Sequence, residues 1–180
     1  KILDACSAPG SKTTHLAALG NDEVEILAVD RSEKRLKRLK ANLERLNIKS
    51  VKTFKADATT LINIKPNFLS YFDKILIDAP CSGIGTFARN PDLRWSLSRD
   101  KIKELITLQE RLLENILPLL KKNGILVYST CTICPEENNL LIKRFLSKNK
   151  EIKLDSEKQI LPRFDKPGDG FYAAKISYKQ

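Results

Sequence analysis

Methionine is absent from this 180-residue sequence, and His and Trp occur once each. Because His15 is the only His, a Ser-His-Asp triad is a weak explanation of the chain, and we expect His15 to be a surface or packing residue on a helix. No apolar run approaches the roughly 20 residues that a membrane-spanning helix needs. The opening residues also lack the features of a secretory signal. We therefore expect a cytoplasmic protein with no membrane partner.

Only four Cys are present, at positions 6, 81, 131 and 134. Without a secretory signal they are not expected to form a disulfide framework, so they are interpreted as free thiols, metal ligands or catalytic groups. The missing Met, together with a first strand that opens at Lys1, predicts a segment of a longer protein cut at its N-terminus. The length is that of one domain with a real core, and we expect residues 1–180 to form one domain.

Acidic residues do not balance the basic ones, and the formal net charge is +10. This excess favours a polyanionic partner, most simply nucleic acid. The alternative is a Lys-rich surface that serves only solubility. The oligomeric state does not follow from the sequence, although a monomer is favoured.

Short apolar runs alternate with helical patterns along the chain. We expect strands at residues 1–5, 25–29, 51–55, 74–77 and 125–129, followed by two closing strands at 152–154 and 171–178. Helices are expected at 11–19, at about 33–46, at 101–122 and at 135–147. The second helix starts from a cap at Ser32 and carries an apolar stripe, and Pro118 would kink or split the third. Five β-α units in a row predict an α/β fold with a doubly wound parallel sheet.

Polar side chains follow the ends of the first five predicted strands, at Asp4, Asp30, Asp57, Asp78 and Cys131. In a sheet of this kind, ligands bind beyond the carboxyl ends of the strands. We therefore expect these five residues to line one crevice. For each Asp taken alone, a turn or cap residue is an equally good interpretation.

The first β-α turn, residues 4–13, contains a single Gly, at position 10. It matches neither GxGxxG nor the P-loop, which disfavours a pyrophosphate ligand. Its small residues still let the backbone approach a ligand at a helix N-terminus. Asp30, about 20 residues beyond Gly10, is placed to accept from ribose hydroxyls, and Asp57 is placed to accept from an adenine amino group. An adenosine cofactor such as S-adenosylmethionine is therefore indicated.

Six stretches resemble the RNA cytosine-C5 methyltransferases of the NOL1/NOP2/Sun family: DACSAPGSKT, AVDRSEKRL, KADAT, DAPCSGIGTFARNPDLRW, YSTCTICPEEN and GDGFYAAKI. The resemblance covers essentially the whole chain and is strongest to the bacterial ribosomal-RNA branch. It implies a Rossmann-like class I methyltransferase fold with an antiparallel C-terminal strand, S-adenosylmethionine as cofactor and 16S ribosomal RNA as substrate. A tRNA or another RNA is the alternative substrate. A non-catalytic RNA-binding module and a zinc-stapled binding domain remain as hypotheses from other classes.

The resemblance also implies a set of cofactor-binding residues: Cys6, Ser7, Ala8, Pro9, Gly10, Ser11, Lys12, Asp30, Arg35, Asp57 and Asp78. Ser11 stands where many members of the family carry a second Gly. The family's N-terminal RNA-binding portion has no counterpart in this segment.

Methylation at C5 of cytosine needs a thiolate, because C5 is a weak nucleophile until a sulfur adds to C6. Cys81 and Cys131 are both candidates from the residues alone. A helix expected to start near Pro135 modestly favours a thiolate at Cys131. The resemblance implies that Cys131 is the nucleophile, that Cys81 assists product release, and that Asp78 hydrogen-bonds the base near N3.

The rival use of these thiols is a metal site. Cys131 and Cys134 form a CxxC, and Cys6 and Cys81 would complete four thiolates. A structural zinc site ordinarily shows two tight pairs, and one is present, so no metal is expected. A thioredoxin-like redox role is weaker still. Cys6 and Cys134 are expected to be small buried residues, with Cys6 contacting the cofactor through its backbone.

A long irregular loop, expected at residues 79–98, is typical of a functional segment. It contains Arg89, Arg94 and the single Trp, Trp95, which suit phosphate pairing and base stacking. A target cytosine must leave its stack to reach a thiolate. We expect this loop to flank the base pocket and bind RNA, with Trp95 packing the loop down as the alternative. The basic face of the second helix is expected to be solvated.

Overall fold

The computed structural model describes residues 1–163, 165 and 168–179. The strands in this part of the chain are β1 (Ile2–Asp4), β2 (Ile26–Asp30), β3 (Val51–Lys55), β4 (Phe72–Asp78), β5 (Leu120–Thr130), β6 (Ile152–Ile160) and β7 (Phe171–Tyr178). The helices are α1 (Ser11–Leu19), α2 (Glu33–Arg45), α3 (Leu61–Ile64), α4 (Leu93–Ser96), α5 (Arg99–Ile116) and α6 (Asn139–Lys148). None of the helices in these ranges has both the length and the apolar character to cross a membrane.

The described strands form one seven-stranded sheet in the order β3-β2-β1-β4-β5-β7-β6. β1 pairs in parallel with β2 and β4, and β2 pairs in parallel with β3, whereas β6 and β7 are antiparallel. The predicted α/β fold with a mostly parallel, Rossmann-like sheet and an antiparallel C-terminal end is confirmed. Because the strand order reverses at β1 and β4, ligands are expected beyond the carboxyl ends of these two strands.

The residues pack into two compact units. The first contains Lys1–Asp78 and Asn115–Leu126, and the second contains Ala79–Glu114 and Val127–Gln180. The acids that follow β1 to β4 all belong to the first unit, and Cys81 and Cys131 belong to the second. The common crevice predicted for all five residues therefore stays a prediction.

Helix α2 shows how the sequence determines packing in the first unit. Its apolar stripe is buried at Leu36, Leu39 and Leu43. Ser32 is the predicted N-cap, and its Oγ accepts from the backbone N–H of Arg35 at 3.3 Å. The apolar stripe predicted from the sequence also includes Leu46, but Leu46 is 46% exposed. The helix ends at Arg45, so the stripe ends before Leu46.

The predicted helix at 101–122 is wrong at both ends, because α5 spans Arg99–Ile116. Pro118 lies at the start of a 3-10 turn, Leu117–Leu119, where its missing N–H costs nothing. Strand β5 then begins at Leu120, five residues before the predicted start at 125. The first half of β5 is polar, and Lys121 Nζ lies 2.6 Å from a carboxylate oxygen of Asp73. Apolar periodicity in the sequence therefore did not indicate the first half of β5.

Other boundaries differ for related reasons. Strand β6 continues to Ile160 instead of ending at Leu154. Its second half is polar and exposed on an edge strand, so no apolar pattern in the sequence indicated it. The predicted helix at 135–147 is divided into a 3-10 turn, Pro135–Glu137, and α6, because the backbone of Asn138 leaves the helical region at φ −114° and ψ −114°. The loop at 79–98 is not irregular throughout, since it contains a 3-10 turn, Ile84–Thr86, and helix α4.

Candidate active site

Four acids mark the strand ends of the first unit. Asp4, Asp30 and Asp78 are the last residues of β1, β2 and β4, and Asp57 follows the end of β3 by two residues. These strands are parallel and adjacent, so their carboxyl ends share one edge of the sheet. The acids therefore lie where the sequence predicted them, at the carboxyl ends of these strands.

The turn between β1 and α1 runs through Cys6, Ser7, Ala8, Pro9 and Gly10 to Ser11, the first residue of α1. Gly10 has φ +110°, a left-handed conformation, and a Cβ there would collide with Leu39 Cδ1. Ser7 Oγ donates to the carbonyl of Val29 at 3.1 Å, and Asn42 Nδ2 donates to the carbonyl of Pro9 at 3.3 Å. Hydrogen bonds with β2 and α2 therefore hold the turn, and Gly10 allows its close approach to Leu39.

Asp30 organises this turn from the next strand. Its carboxylate accepts from the backbone N–H of Ala8 at 3.2 Å and of Ser32 at 2.8 Å. Arg35 Nη1 lies 3.5 Å from the same carboxylate, and Arg35 Nη2 donates to the carbonyl of Ala8. Asp30 is buried, so in this structure it has the turn-holding role that was the alternative to ribose binding.

Two other acids remain accessible at this edge. Asp78 is half-buried, and one of its oxygens lies 2.7 Å from Lys12 Nζ, on the first turn of α1. Asp57 is exposed and caps a 3-10 turn by accepting from Thr59 N–H at 2.9 Å.

Burial, reinforced by the neighbouring acids, raises the pKa of the Cys6 thiol to about 12. Cys6 therefore stays protonated near neutral pH and is not a nucleophile.

Asp4 is fully buried, so it resembles Asp30 in burial and differs from Asp57 and Asp78. Its Oδ2 accepts from Thr13 Oγ1 at 2.7 Å, while Oδ1 has no hydrogen-bond partner among the described residues. Burial raises the pKa of Asp4 to about 6, and the Thr13 hydrogen bond opposes that shift. Asp4 is therefore a packing and anchoring residue of the turn, with an ionised form that the fold disfavours.

We expect Asp4→Asn to change how stability depends on pH. The folded-state pKa of Asp4 is about 6 against an ordinary value of 3.8, so the folded state binds the proton more tightly. The free energy of unfolding therefore falls as pH rises between about 4 and 6, by about 3 kcal/mol for this one group. Asn keeps the acceptor for Thr13 and carries no charge. Urea unfolding at pH 4 and pH 7 should show a smaller pH-dependent loss in the variant, and an unchanged loss would contradict the assignment.

The second unit brings two thiols together. Cys81 lies three residues beyond β4, Cys131 directly follows β5, and their Sγ atoms are 3.4 Å apart. The hydrogen bond with Cys131, followed by burial, raises the pKa of the Cys81 thiol well above its ordinary value. Two thiolates at this distance would repel each other, so only one ionises readily. The pair can therefore share one proton, and either sulfur can be the donor in their hydrogen bond.

The helix argument that favoured Cys131 is not supported. Helix α6 begins at Asn139, and only a single 3-10 turn lies between it and the Cys.

Cys134 is half-buried, and burial together with a hydrogen bond to Glu136 raises the pKa of its thiol to about 11. No group of three or more metal-ligating side chains occurs among the described residues. Contact with a second thiol thus distinguishes Cys81 and Cys131 from Cys6 and Cys134.

The thiols open into a groove of about 570 Å³ within the second unit. Arg89 lines this groove, pairs with Asp169 at 3.1 Å through Nε and carries a side chain that is 71% exposed. Arg94 lies over the ring of Phe87, 5.5 Å from its centroid. Trp95 is 90% exposed, so the alternative that it packs the loop down is wrong. The loop offers two guanidinium groups and an indole to solvent.

Comparison with known proteins identifies the family of this chain. The profile of the family described as 16S rRNA methyltransferase RsmB/F matches residues 1–177. The chain belongs to this family. It is 42% identical to ribosomal RNA small subunit methyltransferase B of Photorhabdus laumondii, over 98% of this chain and 42% of that protein. The chain therefore spans less than half the length of this relative.

Two solved structures extend the likeness of this RsmB/F chain. The crystal structure of PH0851 has a TM-score of 0.92 and 39% identity, and covers 98% of this chain and 42% of that one. The crystal structure of NSun6 from Pyrococcus horikoshii with SFG has a TM-score of 0.87 and 32% identity, and covers 98% of this chain and 47% of that one. The NOL1/NOP2/Sun resemblance drawn from the motifs is confirmed.

Sequence reasoning missed several polar residues of this RsmB/F chain that surround the thiols. Glu137 and Asn138 are fully buried near Thr130 and Cys131, and Gln109 reaches Pro80 from α5. A Cβ at Gly85 would lie 2.7 Å from the carbonyl oxygen of Cys131, so the loop can pass this close only as Gly. The sequence did contain a signal for Glu137 and Asn138. Both lie in the stretch PEEN, which belongs to one of the six stretches that resemble the family.

Proposed function

We propose that this chain is the catalytic domain of an S-adenosylmethionine-dependent RNA cytosine-C5 methyltransferase that acts on 16S ribosomal RNA. The observation that carries the proposal is the pair of thiols, Cys81 and Cys131, with Sγ atoms 3.4 Å apart in one open groove. Base methylation at C5 needs one sulfur to attack and a second group to help it leave. The name of the Photorhabdus relative supports the ribosomal substrate.

Cys131 is the attacking sulfur in this proposal. Its thiolate forms a bond with C6 of cytosine, and the electrons of the C5=C6 bond move towards C5 and N3. S-adenosylmethionine, when bound, supplies the methylsulfonium that the activated C5 attacks. Transfer of the C5 proton to solvent then leaves its electron pair in the ring, which re-forms the C5=C6 bond and expels the Cys131 thiolate. Cys81, which holds its proton 3.4 Å away, donates to the departing sulfur.

Asp78 and Lys12 contribute in the first unit. Asp78 is half-buried, paired with Lys12 at 2.7 Å, and stands three residues before Cys81 in the chain. We assign Asp78 to the base near N3: as the adduct forms, N3 takes up a proton from solvent, and the resulting N3–H donates to the Asp78 carboxylate. Lys12 holds the carboxylate in place until substrate arrives.

The residues of the first unit suit an adenosine ligand. The Gly10 turn leaves room for the approach of a ligand to backbone, and no Gly-rich phosphate cradle is present in the turn. Asp57 is an exposed acceptor for an adenine amino group, and Asp30 with Arg35 lies on the ribose side. The solved NSun6 structure with SFG, an S-adenosylmethionine analogue, supports this assignment. Ribose binding at Asp30 requires its carboxylate to exchange turn contacts for hydroxyl groups.

The wider setting follows from the same proposal. An enzyme acting on ribosomal RNA in bacteria works in the cytoplasm, and the net charge of +10 suits an RNA partner. We propose that residues 1–180 act as a monomeric catalytic domain without a metal, within a longer protein.

The test is methyl transfer from labelled S-adenosylmethionine by the full-length protein that contains this chain. Substrates are 16S ribosomal RNA and total tRNA, each unmodified, and the labelled nucleoside is identified after digestion. We expect 5-methylcytidine in 16S ribosomal RNA. Preferential labelling of tRNA would show that tRNA is the substrate and would leave the proposed reaction unchanged. RNA binding without transfer to either substrate would reject the enzyme in favour of a binding module.

Neutralising the arginines of the loop should weaken RNA binding. We expect Arg89→Gln with Arg94→Gln to lower affinity for the substrate RNA and to reduce the slope of log K against log salt by about 1 for each phosphate that is no longer neutralised. Fluorescence anisotropy across a salt series measures both quantities. Arg144→Gln is the matched control, because Arg144 pairs with Glu110 at 2.9 Å on the surface of the same unit. Unchanged affinity and slope in the double variant would contradict the assignment.

A further inference from the structure

A buried carboxylate holds the loop that carries Cys81. Glu137 is fully buried, and its Oε1 accepts from the backbone N–H of Ser82 at 2.9 Å while Oε2 accepts from Ser82 Oγ. Gln109 Nε2 donates to Glu137 Oε1 at 2.9 Å and to the carbonyl of Pro80 at 2.9 Å. The residues on both sides of Cys81 are therefore tied, directly or through Gln109, to one carboxylate.

The next residue in the chain holds the other thiol in the same manner. Asn138 is fully buried, its Oδ1 accepts from Thr130 Oγ1 at 2.7 Å, and its Nδ2 donates to the carbonyl of Thr132 at 3.0 Å. Thr130 and Thr132 are the two neighbours of Cys131. The backbone break at Asn138 that separates the 3-10 turn from α6 accompanies this inward placement.

A hydroxyl pair joins the two halves. Ser82 Oγ and Thr132 Oγ1 lie 2.8 Å apart, and these residues directly follow Cys81 and Cys131. Tyr128 Oη donates to the backbone carbonyl of Glu137 at 2.8 Å and fixes the segment from β5. Every contact in this set lies within the second unit.

We propose that Glu137 and Asn138 are positioning residues that set the separation of the two thiols, each residue holding one Cys loop and their peptide bond fixing the distance between the loops. Neither side chain touches the reacting atoms. Polar groups so fully buried are stable only when their hydrogen bonds are made, so the two loops cannot drift apart without breaking several bonds at once. This arrangement keeps the sulfurs within reach of each other before any RNA binds.

The test uses dibromobimane, in which two thiolates each displace one bromide and the doubly alkylated product fluoresces. In the full-length protein without RNA or cofactor, we expect a bridge between Cys81 and Cys131, identified by peptide mass spectrometry. Glu137→Gln replaces one carboxylate oxygen, which accepts from Gln109 or Ser82, with an NH₂ group that cannot accept. Asn138→Asp removes Nδ2 and with it both N–H donors of the side chain. Each variant should lower the yield of this bridge about tenfold, the scale of misplacing reacting groups by a fraction of an ångström.

Matched controls separate positioning from general loosening. Glu157→Gln alters the acceptor for Tyr172 Oη (2.6 Å), and Asn149→Asp removes the donor to the Phe145 carbonyl (2.8 Å), both in the same unit. We expect wild-type bridging in both controls, with every protein folded at the assay temperature by circular dichroism. Equal loss in the controls, wild-type yield in the two test variants, or no bridge in the wild type would each overturn the proposal.

A second readout rests on the proposed function. Asn138→Asp should slow formation of the covalent RNA adduct, while Glu137→Gln should slow release and so raise the ratio of adduct to turnover. A merely structural loss would lower both quantities together and leave their ratio unchanged, which would overturn the separate roles. Because bridging needs neither RNA nor cofactor, absence of methyl transfer in the wild type would reject the proposed function alone.

Discussion

Cys131→Ala is expected to abolish methyl transfer to RNA. Removing the attacking sulfur leaves C5 of cytosine without its activation, and the rate should fall by about 10⁴-fold or more, as when other enzymes lose a covalent nucleophile. The half-buried side chain lies against Cys81 in the groove, so its removal should leave the fold intact. The measurement is transfer of labelled methyl groups at saturating cofactor and RNA.

Cys134→Ala is the control for this prediction, because Cys134 lies three residues away and bonds Glu136 instead of the thiol pair. It should retain transfer close to that of the wild type. Cofactor binding by Cys131→Ala, followed by calorimetry, should also be unchanged, since the residues that we propose for the cofactor belong to the first unit. Full activity in Cys131→Ala would reject the attacking role.

Cys81→Ala has a different expected result, namely an enzyme trapped on its RNA. The thiolate of Cys131 can still add to C6, and the methyl group can still be transferred. Without the proton held 3.4 Å away, departure of the sulfur should slow by about 10²–10⁴-fold, the range for loss of a general acid. Denaturing gel electrophoresis should then show a slow-moving protein–RNA band that requires cofactor and that nuclease removes.

The comparison for this trap is the double variant Cys81→Ala with Cys131→Ala, which should show no band. A band in the double variant would place the bond on another residue. Rapid turnover without a band in Cys81→Ala would show that release does not need this thiol.

The sequence predicted the architecture well where pattern and packing agree. Strand β3 and helix α1 have the predicted bounds, and α1 lies between Gly10 and Gly20, two residues typical of turns. The polar half of β5 was missed, since Lys121 is held by Asp73, which is distant in the chain. Such pairing depends on tertiary contacts that no local pattern contains.

For the site, the positions of the acids followed from topology alone, while their states did not. Asp4 and Asp30 look equivalent in sequence and both are buried, yet Asp4 has a raised pKa and one oxygen without a partner among the described residues, whereas Asp30 accepts from two backbone N–H groups. The 3.4 Å separation of the thiols joins residues 50 positions apart, and Glu137 bonds Ser82 from 55 positions away. Spacing in the chain carries no information about such contacts.

The central claim is that Cys131 attacks and Cys81 releases. Its most direct test is mass spectrometry of the adduct isolated from Cys81→Ala in the full-length protein, after digestion with nuclease and protease. We predict a methylated cytidine attached through C6 to the peptide that contains Cys131. A nucleotide attached to Cys6 or Cys134, or an adduct absent while methyl transfer proceeds, would contradict the account.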